Sequence, residues 1–240
     1  MTGEKNHRIP EKVDVDLSRL RVVIPALNAE HQLPGVIAGC LDLGQKWKEL
    51  IIVIDDGSSD ETSRVARAAG VRVVRHERNM GKGEALRTGF ELALRDRVDA
   101  VVTMDADGQH LASEIPKLLQ EWKQSGADLV IGSRDHLFGD MVGRRRLANR
   151  FSARSISMFA GVRVRDSQSG FRLYTRRFLT EVDYESSGFA AESEMVVVSG
   201  RKGLAISETS IRLGFVDAPL EDQEREDLVN LAVNGEVSEP

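Results

Sequence analysis

The sequence predicts an α/β fold, a doubly wound and mostly parallel sheet within a single domain. Three observations carry that expectation. Short apolar runs alternate with helix-like segments from Arg21 to Ser133. The apolar runs lack polar alternation, as strands covered on both faces do. No internal repeat and no Pro/Gly-rich linker divides the chain.

The elements follow in order. RVVIPA (21–26) is the first strand, and EHQLPGVIAGCLDL the helix after it. ELIIVIDD (49–56) is the second strand, with a helix around DETSRVARAAG. VRVVRH (71–76) is short and β-branched, and GEALRTGFELALRD is helical. DAVVTMD (99–105) is a strand, ASEIPKLLQEWKQSG a helix and ADLVIGS (127–133) a strand. Five βα units in succession imply parallel strands with right-handed crossovers.

Beyond Arg134 the rhythm breaks. GDMVGRRRLANRFSARSISMFAG is basic and amphipathic, and VRVRDSQSGFRLYTRRF follows it. A further helix, FAAESEMVVVSGRKG, precedes the strand-like LAISETSIRL. The end, EDQEREDLVNLAVNGEVSEP, is acidic and weakly apolar. The expected layout is a flexible extension over 1–19, the domain over 20–216, and an acidic, partly disordered segment over 217–240.

Composition narrows the classes of function. With 41% hydrophobic and 30% charged residues the chain is of ordinary globular type. A net charge of -5 argues against a nucleic-acid partner, so a polyanionic ligand needs a local basic patch or a metal ion. The single cysteine, Cys40, lies on an apolar helix face and reads as a core thiol of a reducing compartment. The first residues are polar with no apolar h-region, and no run is long enough to span a bilayer. The expected location is cytoplasmic, at most peripheral on the inner face of a membrane.

The chemistry lies at the strand ends. In open α/β sheets ligands bind beyond the carboxyl ends of the strands. The first strand ends in PALNAE, the second in DDGSSD and the fourth in DADGQH, which sets Asp55 and Asp56 on one rim with Asp105 and Asp107. Like charges this close call for a cation. A hard ion such as Mg2+ or Mn2+, shared with substrate phosphates, answers that need. In an extended segment Asp105, Asp107 and Gln109 form one row, because side chains alternate with period two. Read structurally instead, Asp55 caps the helix after DDGSSD and the 105–107 pair is a solvated turn.

VVIPALNAE, IIVIDDGSSDET, NMGKGEALRTGF, MDADGQH and LVIGSR follow one another as in family 2 glycosyltransferases of the GT-A, Rossmann-like fold, which this chain resembles over residues 20–212. DADGQH and DSQSGFRLY are most similar to the branch that makes dolichyl- or polyprenyl-phosphate sugars. The resemblance implies an inverting hexosyltransferase that uses Mg2+ or Mn2+ and a UDP- or GDP-sugar, with a polyprenyl phosphate acceptor at a membrane surface. It assigns Pro25, Ala26 and Asn28 to the nucleotide pocket, and Asp55 or Asp56 to the base. Asp105, Ala106 and Asp107 meet the nucleotide-sugar, with Asp105, Asp107 and Gln109 about the metal.

Other groups are weighed beside these. Lys82, in a loop at a helix N-terminus, supplies positive charge for the diphosphate. Arg134, just past a strand end, is a candidate sugar or phosphate contact. The resemblance places Asp166 near the acceptor or sugar and matches Glu192 to sugar binding or acid–base work, while Glu194, two residues on, does not share its helix face and reads as readily as structural. Arg144, Arg145, Arg146 and Arg150 are either a solvated basic face or an acceptor phosphate site beside anionic lipid.

The chain also departs from the family's pattern. Leu27 stands where the family often carries Tyr, and SIRLGFVDAPLEDQEREDLV replaces the basic lid that usually follows the last strand. Rival readings are a non-catalytic nucleotide-sugar-binding module and a sugar-phosphate nucleotidyltransferase, although PALNAE is not that enzyme's glycine-rich loop. A dinucleotide-dependent oxidoreductase lacks its glycine fingerprint here.

Overall fold

A computed structural model describes residues 16–134, 157, 161, 164–188 and 190–214. Seven strands form one sheet: β1 (Leu20–Ala26), β2 (Ile51–Asp55), β3 (Arg72–Arg75), β4 (Ala100–Thr103), β5 (Leu129–Ser133), β6 (Arg172–Thr175) and β7 (Ile206–Ser210). Their order is β3-β2-β1-β4-β6-β5-β7. Neighbouring strands run parallel except that β6 is antiparallel to both β4 and β5. The expected strands are all present.

Among the described residues the α-helices include α1 (Leu33–Leu41), α2 (Thr62–Ala68), α3 (Lys82–Arg95), α4 (Ile115–Ser125), α5 (Arg176–Glu181) and α6 (Ala190–Arg201). Alternation along β1 divides the core. Val22 and Ile24 face a cluster with Val36, Ile37 and Cys40 of α1 and Leu118 and Leu119 of α4. Val23 faces the opposite cluster, with Leu86 and Phe90 of α3, Phe178 of α5 and Met195 of α6. Both faces of the sheet are thus covered, which is why its strands read as unbroken apolar runs. Burial pushes the Cys40 thiol up to about 12, as a core thiol requires.

One strand was not legible as such. RLYT is too short for a period to show, yet it sits between β4 and β5 with Thr103 opposite Arg172 and Val102 opposite Leu173. At its end Thr175 caps α5, its hydroxyl accepting from the Phe178 amide at 3.2 Å. The strand order reverses between the parallel strands β1 and β4, and at such a switch point an open sheet forms its binding crevice beyond the carboxyl ends.

Among the described residues no helix is long and apolar enough to cross a membrane. The basic segment with Arg144, Arg145, Arg146 and Arg150 lies outside the described residues, as do 1–15 and 215–240.

Candidate active site

Four segments meet at the crevice: the N-terminus of α3, the turn after β4, the residues around 134 and 166, and the first turn of α6. Lys82, the first residue of α3, lies with its Nζ 2.6 Å from Asp105 Oδ1 and 2.9 Å from Glu192 Oε1. Burial disfavours its charge, but Asp105 and Glu192 outweigh that and hold its pKa above the usual lysine value. Burial likewise opposes ionisation of Asp105, and Lys82, followed by His110 and Arg134, keeps its carboxyl below the ordinary range. Beside this group Asp166 is gripped by Arg134, whose Nε and Nη2 donate to the two carboxylate oxygens at 2.8 and 3.1 Å. The Arg134 amide adds a third bond at 3.1 Å. Burial raises the Asp166 pKa, yet these bonds and the guanidinium charge bring it below the usual value.

Asp105, Asp166, Glu192, Lys82 and Arg134 therefore form one charged cluster, as their mutual influence on ionisation also shows. Glu194, two residues on, faces away and accepts from the amides of Glu185 and Ser186. Room for the Asp105 carboxylate depends on Gly170, since a Cβ there would come within 2.6 Å of Oδ2. Thr103 Oγ1 donates to the Gly170 carbonyl at 2.8 Å and keeps that backbone in place.

The extended reading of 105–109 does not hold. β4 ends at Thr103, and the chain turns through Gly108 at φ +78°. The Asp107 side chain closes the turn by accepting from the Gln109 amide at 3.0 Å. Asp105 is directed into the cluster, while Asp107 and Gln109 are exposed at the tip and Gln109 does not continue a row. Ala106 is buried beneath them.

The turn is braced by residues absent from the sequence-based candidates. His110 is buried and stacks on Phe171 with ring centroids 5.3 Å apart, its Nδ1 3.4 Å from the Asp105 amide. The Gly214 amide donates to the Gln109 carbonyl, and His110 bridges Leu213. Arg212 donates from Nε to fully buried Glu114 at 2.7 Å. A place close behind a strand tip is the one signal the sequence holds for His110, and Glu114 carries none.

The DDGSSD carboxylates are engaged within the fold. Asp55 is fully buried; it accepts from the Ser58 amide at 2.8 Å and from the Ser63 hydroxyl, so it fixes the start of α2. Asp56 accepts from His76 at 2.7 Å, from the Met80 amide at 2.9 Å and from the Gly81 amide at 2.7 Å. The structural reading of these residues thus accounts for their oxygens. Pro25 and Ala26 end β1, and Asn28, at φ +50°, ties the following loop to Ser59 through its side-chain oxygen at 2.8 Å. Leu27 stands exposed beside them.

A magnesium-class ion keeps several waters and needs only one or two carboxylates beside substrate phosphates. Among the described residues no three His, Cys, Asp or Glu side chains converge on one point. Exposed Asp107 and Gln109 at the turn tip offer oxygen donors of the right kind, so the residues fit an open site completed by substrate and not a closed structural one.

The model of the family described as glycosyl transferase family 2 matches residues 21–183. The chain belongs to glycosyl transferase family 2. It is 31% identical over 242 residues to dolichyl-phosphate beta-glucosyltransferase of Drosophila melanogaster, covering 89% of this chain and 72% of that one. It is 32% identical over 206 residues to polyprenol monophosphomannose synthase of Mycolicibacterium smegmatis, covering 80% and 76%. Among solved structures, glucosyl-3-phosphoglycerate synthase from Mycobacterium tuberculosis, in complex with Mn2+, UDP and phosphoglyceric acid, superimposes with a TM-score of 0.63 at 26% identity. That match covers 89% of this chain and 77% of the other. The seven-stranded sheet is the GT-A arrangement of the family 2 glycosyltransferases, as the sequence predicted.

Proposed function

We propose that this glycosyltransferase moves a hexose from a UDP- or GDP-sugar to a polyprenyl phosphate, with inversion at the anomeric carbon. The observation that carries this reading is that both candidate bases are already bound to cations: Asp166 to Arg134 and Glu192 to Lys82. A hydroxyl acceptor needs a general base to take its proton. A phosphate monoester is largely dianionic at pH 7, with a second pKa of about 6, and needs positioning instead. Relatives named for dolichyl-phosphate and polyprenol support the same acceptor class.

In this reading Asp107 and Gln109 hold Mg2+ or Mn2+ against the sugar-nucleotide diphosphate, and the ion, when bound, neutralises charge on the leaving group. Asp105 and Glu192 keep Lys82 at the crevice, where its charge faces the diphosphate region. Arg134, oriented by Asp166, is placed to attract an acceptor phosphate. Pro25, Ala26 and Asn28 border the nucleotide. The arginines at 144, 145, 146 and 150 belong to the same acceptor proposal, the protein being peripheral at the cytoplasmic face of the membrane.

The test is transfer of labelled hexose from a panel of UDP- and GDP-sugars, with Mn2+, to polyprenyl phosphate in anionic vesicles. The expected product is the lipid-linked sugar, lost in EDTA and weakened as salt rises. Equal transfer to a soluble sugar hydroxyl would overturn the lipid acceptor. Stable sugar-nucleotide binding with no turnover would favour a non-catalytic binding module.

A further inference from the structure

Among the described residues Arg172 is the largest fully buried side chain, and the mechanism above does not use it. Its Nε donates to the Ser169 carbonyl at 2.6 Å, Nη2 to the Ser167 carbonyl at 2.6 Å and Nη1 to the Glu192 carbonyl at 2.7 Å. Ser167 and Ser169 follow Asp166 in the chain, and Glu192 opens the first turn of α6. One guanidinium thus spans the loop that carries one carboxylate and the helix that carries the other.

We infer that Arg172 is a positioning residue that sets the separation of Asp166 and Glu192, and through them the placement of Arg134 and Lys82. The argument is geometric. The loop around Asp166 and the start of α6 are joined by no shared strand; β6 lies at one end of that loop and α6 starts only after α5. Their backbones meet at the Arg172 fork. Arginine suits this task because its donors are fixed in one plane and reach three acceptors at once, whereas lysine offers a single rotating ammonium. The residue is also anchored by its own strand, where it pairs with Thr103, two residues before Asp105. All three acidic groups of the cluster are therefore referred to one point in the sheet.

The kinetic consequence rests on the glycosyl-transfer reading, whereas the structural consequence does not. The experiment compares wild-type protein with Arg172→Gln and Arg172→Lys by transfer kinetics, sugar-nucleotide titration and amide hydrogen exchange. A misplacement near 1 Å costs on the order of 100-fold, so kcat should fall by about that factor in Arg172→Gln. Sugar-nucleotide affinity should fall by clearly less than kcat, since a shifted Lys82 weakens the diphosphate contact while the residues at the end of β1 stay in place, and Arg172→Lys should lie between wild type and Arg172→Gln. Exchange should rise together in 166–170 and 190–194 while β1, β2 and β4 keep their protection. An equal loss of affinity and kcat, unchanged kcat, or a uniform rise in exchange would overturn the role. Should the Gln variant fail to fold, the Lys variant carries the same readings. If wild-type protein transfers no sugar, the functional reading fails and the exchange pattern alone decides the positioning role.

Discussion

His76 Nδ1 lies 2.7 Å from Asp56 Oδ1, and the imidazole reaches Thr88 on α3 with its other nitrogen at 2.9 Å. Together with the Met80 and Gly81 amides this ties the loop before Lys82 to the end of β2. Asp56→Ala removes the acceptor of three part-buried donors, at less than the ~1–3 kcal/mol that a fully buried donor costs when left without a partner. The variant should melt several degrees lower and bind UDP and GDP more weakly by the same factor. A melting temperature equal to wild type, with a changed UDP-to-GDP preference, would return Asp56 to base selection.

Lys82→Met removes the cation between Asp105 and Glu192. Breaking a buried ion pair at one partner costs about 3–5 kcal/mol, because the remaining charge is left uncompensated. Urea unfolding should show a loss of that order, together with loss of transfer. Adding Asp105→Asn to Lys82→Met should recover part of the stability and none of the activity. A double variant no more stable than Lys82→Met would show that the pair is not coupled.

Asp107 presents the opposite case, since it is exposed and its carboxylate accepts the Gln109 amide bond that closes a turn. Asp107→Asn keeps a turn-closing oxygen, so stability should change by no more than about 0.5 kcal/mol. Stabilisation by Mn2+ in the presence of nucleoside diphosphate should disappear, and transfer should fall by orders of magnitude. An undiminished Mn2+ response in thermal melts would remove Asp107 from the metal assignment.

Asp166 makes a prediction in acid. Its pKa is lower in the folded protein than the ordinary 3.8, because the Arg134 bonds outweigh burial. A depressed carboxylate contributes stability above its unfolded pKa and loses it as pH falls through the folded one. The Asp166–Arg134 contribution should therefore be fully present at neutral pH, begin to fall near pH 3.8 and be lost as pH drops through the lower folded pKa. Asp166→Asn should flatten that part of an acid titration followed by urea midpoints. It should leave no missing step near pH 7 in the transfer profile, since Asp166 is already ionised there. A neutral-pH step that vanishes in Asp166→Asn would make it a titrating base after all.

The alternation of apolar runs was enough to read β1 to β5, their helices and the rim on which the carboxylates sit. Individual side-chain directions were not readable in the same way. Asp105 and Asp107 diverge because Gly108 permits a turn with positive φ, which a period-two argument cannot register. Asp55 and Asp56 are consumed by donors at Ser58, Ser63, His76, Met80 and Gly81, and such partners are set by the folded backbone rather than by spacing. Lys82, Arg134, Asp166 and Glu192 were legible as charged groups at strand and helix ends, but their pairing required β6 to bring distant segments together. Glu114 and His110 were overlooked because each is one polar residue among many near a helix start.

The antiparallel insertion of β6 also bears on how the chain is made. All four residues of β4 are buried, and until residues 172–175 exist that strand has an unpaired edge. At roughly 5–20 residues per second, a ribosome takes several seconds to pass from Thr103 to Gly170, 67 residues later. During that interval an apolar strand edge and the Asp105 carboxylate are present without the segment that covers one and spaces the other. Nascent or prematurely ended chains that stop before β6 thus carry a sticky edge at the very strand that bears the chemistry, and they depend on chaperones more than the finished protein does.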